Sequence, residues 1–236
     1  MPPGPDPGLR RVAWAEAFRI VASRYPPVHL FERVDLDPDV WDALIAAEML
    51  VNPRLRDEVG EIALVPPEDR LHGPGATYVM ASFTHLNPKG SRFSDGTYGV
   101  YYAGDSFGVA LRETVHHFEA YARDSGDGIR YEDMRVLVGG VDTEFHDIAS
   151  LPAPARDAVL DPDDYAAGRA IGARLRAVGS NGVVYPSVRH AGGTCVGAFR
   201  PRAVRPPAQA KHIKYHYGGG RVSAWFDYAT DQWRSF

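Results

Sequence analysis

Residues 90–114 read GSRFSDGTYGVYYAGDSFGVALRET, and three structural elements follow one another in that run. Its opening, rich in Gly, Ser and Asp, reads as a loop. Residues 98–103, YGVYYA, are dense in aromatic and β-branched side chains and read as a strand. Asp105 and Ser106 can cap a helix, and Leu111, Val115 and Phe118 recur on one stripe, which predicts a helix to about residue 121. Each piece carries a polar side chain of a different kind: Arg92 in the loop, Tyr102 late in the strand, Glu113 mid-helix between Leu111 and Val115.

Working outward, residues 135–141 (RVLVGGV), 182–188 (GVVYPSV) and 194–199 (TCVGAF) read as further strands, the last two joined by a turn through Gly192-Gly193. Residues 14–22 (WAEAFRIVA) read as a buried strand or short helix that must accommodate Arg19. Asp37-Pro38 supplies an N-cap and a proline at N1 for a helix over 37–51, with Trp41, Leu44, Ile45 and Glu48 at helical spacing. Residues 52–97 are rich in Pro and Gly and read as long ordered loops, of which 85–96 is of the kind more often functional than idle. Asp163-Asp164 opens another helix that ends at Gly179. The tail alternates polar and apolar residues around Gly218-Gly219-Gly220, which predicts a terminal hairpin. Strands outnumber helices and do not alternate with them regularly, so the fold class is α+β. The expected organisation is a disordered N-terminus (1–10), a single domain over 11–210 with an insert at about 21–85, and a C-terminal hairpin or tail over 211–236.

At 236 residues one domain of this size buries roughly 70% of its unfolded surface, enough to stand without staples. The single cysteine, Cys195, excludes an intramolecular disulfide and fits a reducing compartment, and no secretory h-region or membrane-length apolar run is evident, so a cytoplasmic location is expected. Lys plus Arg is 26 against 30 for Asp plus Glu; that acidic balance argues against direct nucleic-acid binding. There is no G-x-G-x-x-G, Walker loop, H-E-x-x-H or G-x-S-x-G. His116 and His117 are adjacent, not four apart as a zinc pair on one helix face would be, so no metal site is expected.

The run at 90–114 resembles the RES family, whose signature is an Arg-Phe/Trp loop, a strand ending in tyrosine and a helix bearing glutamate. Residues 181–201, NGVVYPSVRHAGGTCVGAFRP, resemble the family's serine segment, and Ala17-Phe18-Arg19-Ile20 its opening strand. The resemblance covers about residues 85–205, with Phe93 where tryptophan is commoner. It implies an ADP-ribosyltransferase-like fold, two small packed sheets with surrounding helices about an NAD⁺ cleft. It implies a toxin that cleaves the nicotinamide–ribose bond by hydrolysis or phosphorolysis, with NAD⁺ as substrate rather than cofactor and inorganic phosphate as an alternative acceptor. Arg92, Tyr102, Glu113 and Ser187 are the implied catalytic residues, and Arg19, Phe93, His116 and Arg189 the implied NAD⁺ contacts. The residue types suit that chemistry: a fixed carboxylate stabilises the oxocarbenium-like ribose and a guanidinium holds pyrophosphate oxygens in pairs. Departing nicotinamide is neutral and needs no strong acid. Either His116 or His117 can share the face of Glu113, and Cys195 reads as a small buried hydrophobe.

Implied partners are an Xre-type helix-turn-helix antitoxin and a second toxin copy, a homodimer within the complex. The aromatic segment with Tyr215, Tyr217, Trp225, Phe226 and Trp233 is a candidate docking surface or a completion of the core. Two other functions use the same residues: transfer of ADP-ribose to a macromolecule, and a catalytically silent interaction module.

Overall fold

The computed structural model describes residues 5–24, 59–126 and 128–236, together with Val40 and Ala43. The helix expected over 37–51 lies almost wholly outside these residues, as does much of the expected insert.

One strand organises the chain. β3 (Arg130–Asp147) pairs antiparallel with β1 (Leu9–Ala22) along nearly its whole length. Its other edge is shared: residues 130–140 pair with β6 (Arg205–Gly218), whereas His146 and Asp147 run parallel to β4 (Gly182–Pro186). The sheet therefore divides into two arms at β3. One arm continues through β6 to β7 (Arg221–Asp227) and β8 (Gln232–Ser235). The other runs from β4 to β5 (Thr194–Ala198) and β2 (Tyr101–Gly104), and Phe18 of β1 meets Gly104 of β2 to close a ring. The α+β class holds, and the two packed sheets implied by the resemblance are the two arms of one hydrogen-bonded sheet of eight strands.

Four α-helices lie among the described residues: α1 (Ala76–Thr84), α2 (Phe107–Asp124), α3 (Ala153–Val159) and α4 (Ala166–Ala177). α2 starts where its sequence dictates, with the Ser106 side chain accepting from the Val109 N–H. Its stripe of Leu111, Val115, Phe118 and Ala122 packs against Ile213, Tyr215 and Tyr217 of β6. Each large apolar side chain so buried contributes roughly 1.5–3 kcal/mol. α1 lies inside the segment expected to be loop: its run ATYVMASFT is apolar, but the Gly and Pro around it masked the helix, which buries Val79, Met80 and Phe83 in the core.

Residues 14–22 are strand rather than helix, and that strand begins at Leu9, inside the segment expected to be disordered. The tail forms the expected hairpin, turned by Gly219 (φ 63°) and Gly220 (φ 82°). Of its aromatic residues, Tyr215 and Tyr217 are buried against Phe118, and Trp225 is buried against Phe107. They complete the core, the second of the two expected roles; Trp233, 51% exposed, remains on the outside.

Candidate active site

β1, β2, β5, α2, the loop before β2 and the N-terminus of α4 enclose a cavity of about 260 Å³. Arg19, Arg92, Tyr102 and Glu113 all line it. The side chain of Glu113 therefore points to the same hollow as the guanidinium and phenol groups drawn from distant stretches of sequence.

Glu113 is held by Ser187, whose hydroxyl donates to Oε1 at 2.6 Å. The same Oγ accepts the backbone N–H groups of Arg189 (3.2 Å) and His190 (3.0 Å). One donor and two acceptor positions exhaust a hydroxyl's capacity, so Ser187 fixes the carboxylate and has nothing left for a ligand. The Cys195 thiol lies 3.8 Å from the same Oε1, and burial pushes its pKa well up, which keeps it a protonated donor rather than a nucleophile. With Oε1 engaged, Oε2 is the oxygen free to act.

The two arginines divide differently from expectation. Arg92 is buried, donates from Nη1 to the carbonyls of Val159 (3.2 Å) and Asp161 (2.6 Å), and stacks on the Tyr165 ring at 4.6 Å. Arg19 donates to the Tyr102 carbonyl at 3.0 Å and lies over the Tyr101 ring at 4.7 Å, but its buried Nε has no partner. No carboxylate pairs with Arg19 among the described residues, and burial is the main cause of its lowered pKa. Such a group stays charged in proteins, so a desolvated cation faces the hollow uncompensated.

The Tyr102 hydroxyl bonds Ser91 Oγ at 2.7 Å and accepts the Phe93 N–H at 3.1 Å, and burial pushes its pKa up to about 12. It shapes the 91–93 loop as a neutral phenol and leaves its ring to the cavity. Phe93 does not reach the cavity: it is fully buried, edge-on to Tyr185 at 5.0 Å, and serves the core instead of a substrate. His116 is not a lining residue either; its Nε2 meets Arg189 Nη2 at 3.0 Å, and Arg189 also donates to the Pro162 carbonyl at 2.6 Å. Of the two histidines, His117 lines the cavity. The sequence reading missed Ser91, Tyr165 and Tyr185 as lining residues; Ser91 and Tyr185 lay in runs already singled out, and Tyr165 did not. No group of three His, Cys, Asp or Glu able to hold a metal occurs among the described residues, and no described helix is long and apolar enough to cross a membrane.

Arginine only donates, so His116 must accept and therefore be neutral. Burial, then Arg189, lowers its pKa below the ordinary 6.5. A folded-state pKa below the unfolded one means the unfolded chain binds more protons as pH falls through 6.5, so stability drops in that direction. The thermal midpoint is expected to decline from pH 7 to pH 5, and His116→Gln to flatten part of that decline. An unchanged slope in a calorimetric pH series contradicts this account of the Arg189 contact.

A family model described as RES domain matches residues 67–218. The chain belongs to the RES domain family. The match spans α1 through β6 and so takes in Arg92, Tyr102, Glu113 and Ser187, whereas Arg19 enters the RES cavity from β1, outside the matched stretch. The chain is 27% identical over 211 residues to the uncharacterized protein y4oC of Sinorhizobium fredii, covering 88% of this chain and 85% of that one. One chain of the crystal structure of the M. tuberculosis MbcT–MbcA toxin–antitoxin complex overlays with a TM-score of 0.45 at 14% identity, over 89% of this chain and 87% of that one.

Proposed function

We propose that this RES protein is a toxin that destroys NAD⁺ by breaking the nicotinamide–ribose bond. The observation that carries the reading is the pairing, in one cavity, of a half-buried guanidinium, Arg19, that no carboxylate neutralises among the described residues and whose buried Nε is unpartnered, with a carboxylate pinned by Ser187. Partly desolvating a cation without a counter-charge opposes folding, which function explains better than stability does. NAD⁺ offers each group its complement: a pyrophosphate for Arg19 and a ribose that turns cationic for Glu113.

At about 260 Å³ the cavity is slightly below the usual range for ligand pockets, roughly 300–1,000 Å³, so it encloses the nicotinamide riboside end while the adenosine lies outward. Tyr102 supplies a ring face to the reacting end. As the C1′–N bond lengthens, its electron pair returns to nicotinamide, and the free Oε2 of Glu113 stabilises the positive charge left on the ribose. The bond breaks without a proton donor because the leaving group is neutral. A separate antitoxin that covers the cleft belongs to the same proposal, as does a homodimer within that complex and action in the cytoplasm.

The test is to incubate the purified chain with NAD⁺, with and without inorganic phosphate, and weigh the products. Free nicotinamide in equal amount to ADP-ribose, or to its 1-phosphate, supports the proposal; undiminished NAD⁺ in both buffers refutes it.

Arg19 allows a second, independent check. Hydrogen bonds to charged groups are worth about 1.5–3 kcal/mol, so Arg19→Met is expected to raise the KM for NAD⁺ about 10–100-fold. The same change removes a half-buried charge that no carboxylate offsets, so the thermal midpoint is expected to hold or rise. A lowered midpoint with an unchanged KM in paired melting and kinetic assays makes Arg19 a structural residue.

A further inference from the structure

α2 presents a second polar side chain to the cavity. His117 follows Glu113 by four residues, one helical turn along the same face, and it lines the hollow while keeping a solvent-exposed edge. Among the described residues its ring makes no hydrogen bond; the neighbouring His116 ring stands 5.5 Å away, edge-on. Three other histidines are engaged: His146 with Ser180 at 2.8 Å, His216 with Ser223 at 3.0 Å, and His116 with Arg189. An imidazole left unengaged at the mouth of a reactive cavity calls for an explanation.

The groups around it define what it can do. Packing of the ring against the cavity wall, and after it the charges of Arg189, from the turn after β4, and Arg92, from the loop before β2, lower its pKa. The ring is thus a neutral imidazole at neutral pH, a lone pair beside a cavity that also holds a carboxylate. Glu113 stabilises the cationic sugar but is tied to Ser187 through Oε1. When water replaces nicotinamide its oxygen sheds a proton, and His117 is the other basic side chain that lines the cavity, leaving the free Oε2 to face the sugar. A weak base suffices for this, because an oxygen adding to a cationic carbon becomes strongly acidic as the bond forms.

We propose that His117 accepts the proton of the oxygen nucleophile. In this step a lone pair of the water oxygen forms the new bond to C1′. The C1′–N pair leaves with nicotinamide, and the proton passes to a ring nitrogen of His117 and then through its exposed edge to solvent. Net, NAD⁺ and water give nicotinamide, ADP-ribose and one proton. This rests on the NAD⁺-cleaving reading above and adds to it the acceptor side of the reaction.

The experiment compares wild type, His117→Ala and His117→Gln as full chains, by nicotinamide release and thermal midpoint, with and without added imidazoles. A positioned base typically contributes 10²–10⁴-fold, so both variants are expected to lose about 100-fold in kcat with the KM for NAD⁺ within about threefold. Imidazole is expected to restore His117→Ala at least tenfold, rising with the basicity of ring-substituted imidazoles, because the position opens to solvent. His117→Gln, whose side chain fills the space, stays unrestored. A folded variant within twofold of wild-type kcat, or a loss in His117→Ala that no imidazole repairs, overturns the assignment while leaving NAD⁺ cleavage standing. A wild type that releases no nicotinamide removes both.

Discussion

Glu113→Gln is expected to lower kcat for NAD⁺ cleavage by about a thousandfold, the range seen when one preorganised electrostatic group is removed from a transition state. Glutamine keeps the length and the oxygen that can accept from Ser187, so the lock at 2.6 Å can persist and the fold is not disturbed. What disappears is the negative charge facing the developing ribose cation. Because that charge acts on the transition state and not on ground-state binding, the KM for NAD⁺ is expected to move by less than about threefold. Steady-state kinetics on the two proteins decide it. A loss confined to KM makes Glu113 a binding residue and requires another source for the stabilisation.

Gly172→Ala is expected to combine a large loss of stability with a loss of activity. α4 lies directly on the 91–93 loop: a Cβ at Gly172 would come 2.2 Å from the Phe93 carbonyl oxygen, and one at Gly168 would come 2.4 Å from that of Arg92. Both obstacles are backbone, so a methyl group must push the loop or the helix aside. Arg169 ties the two together from the same helix, donating to the carbonyls of Ser91 (3.1 Å) and Lys89 (2.8 Å). Overpacking at such a contact costs about 3 kcal/mol. For a chain of this size that lowers the thermal midpoint by about 6–12 °C. The displaced residues include Ser91, which bonds the Tyr102 hydroxyl, and Arg92. A shift near 1 Å there is expected to cost roughly 100-fold in kcat/KM. A melting curve and an assay at 20 °C, well below the transition, separate the two effects; an unchanged midpoint contradicts the close approach.

Where the physics was local, the sequence was informative. α2 was readable because Ser106 and the Leu111, Val115, Phe118 stripe sit within a few residues of one another, and the β6–β7 hairpin because consecutive glycines mark its turn. β3 was recognised over seven residues and runs for eighteen: its flanks are charged or polar, and only pairing with β1, β4 and β6 makes them strand. α1 was hidden because its nine residues, six of them apolar, lie between Gly- and Pro-bearing segments and are too few to show a period of their own. The same division runs through the site. Arg92, Tyr102, Glu113 and Ser187 were identifiable by type and order, but not what each one does. That Arg92 spends hydrogen bonds on carbonyls 67 and 69 residues away, while Arg19 keeps an unpaired Nε, depends on contacts that no local pattern encodes. That Ser187, implied as catalytic, holds Glu113 in position was hidden for the same reason: its three hydrogen bonds can be counted only in three dimensions.

The most direct test of the cavity is a crystal structure of Glu113→Gln soaked with NAD⁺. The account predicts the nicotinamide-bearing ribose beside residue 113, a pyrophosphate oxygen within hydrogen-bonding distance of Arg19, and the Ser187 contact retained. A dinucleotide bound elsewhere on the surface, or seated in the hollow with Arg19 untouched, contradicts it.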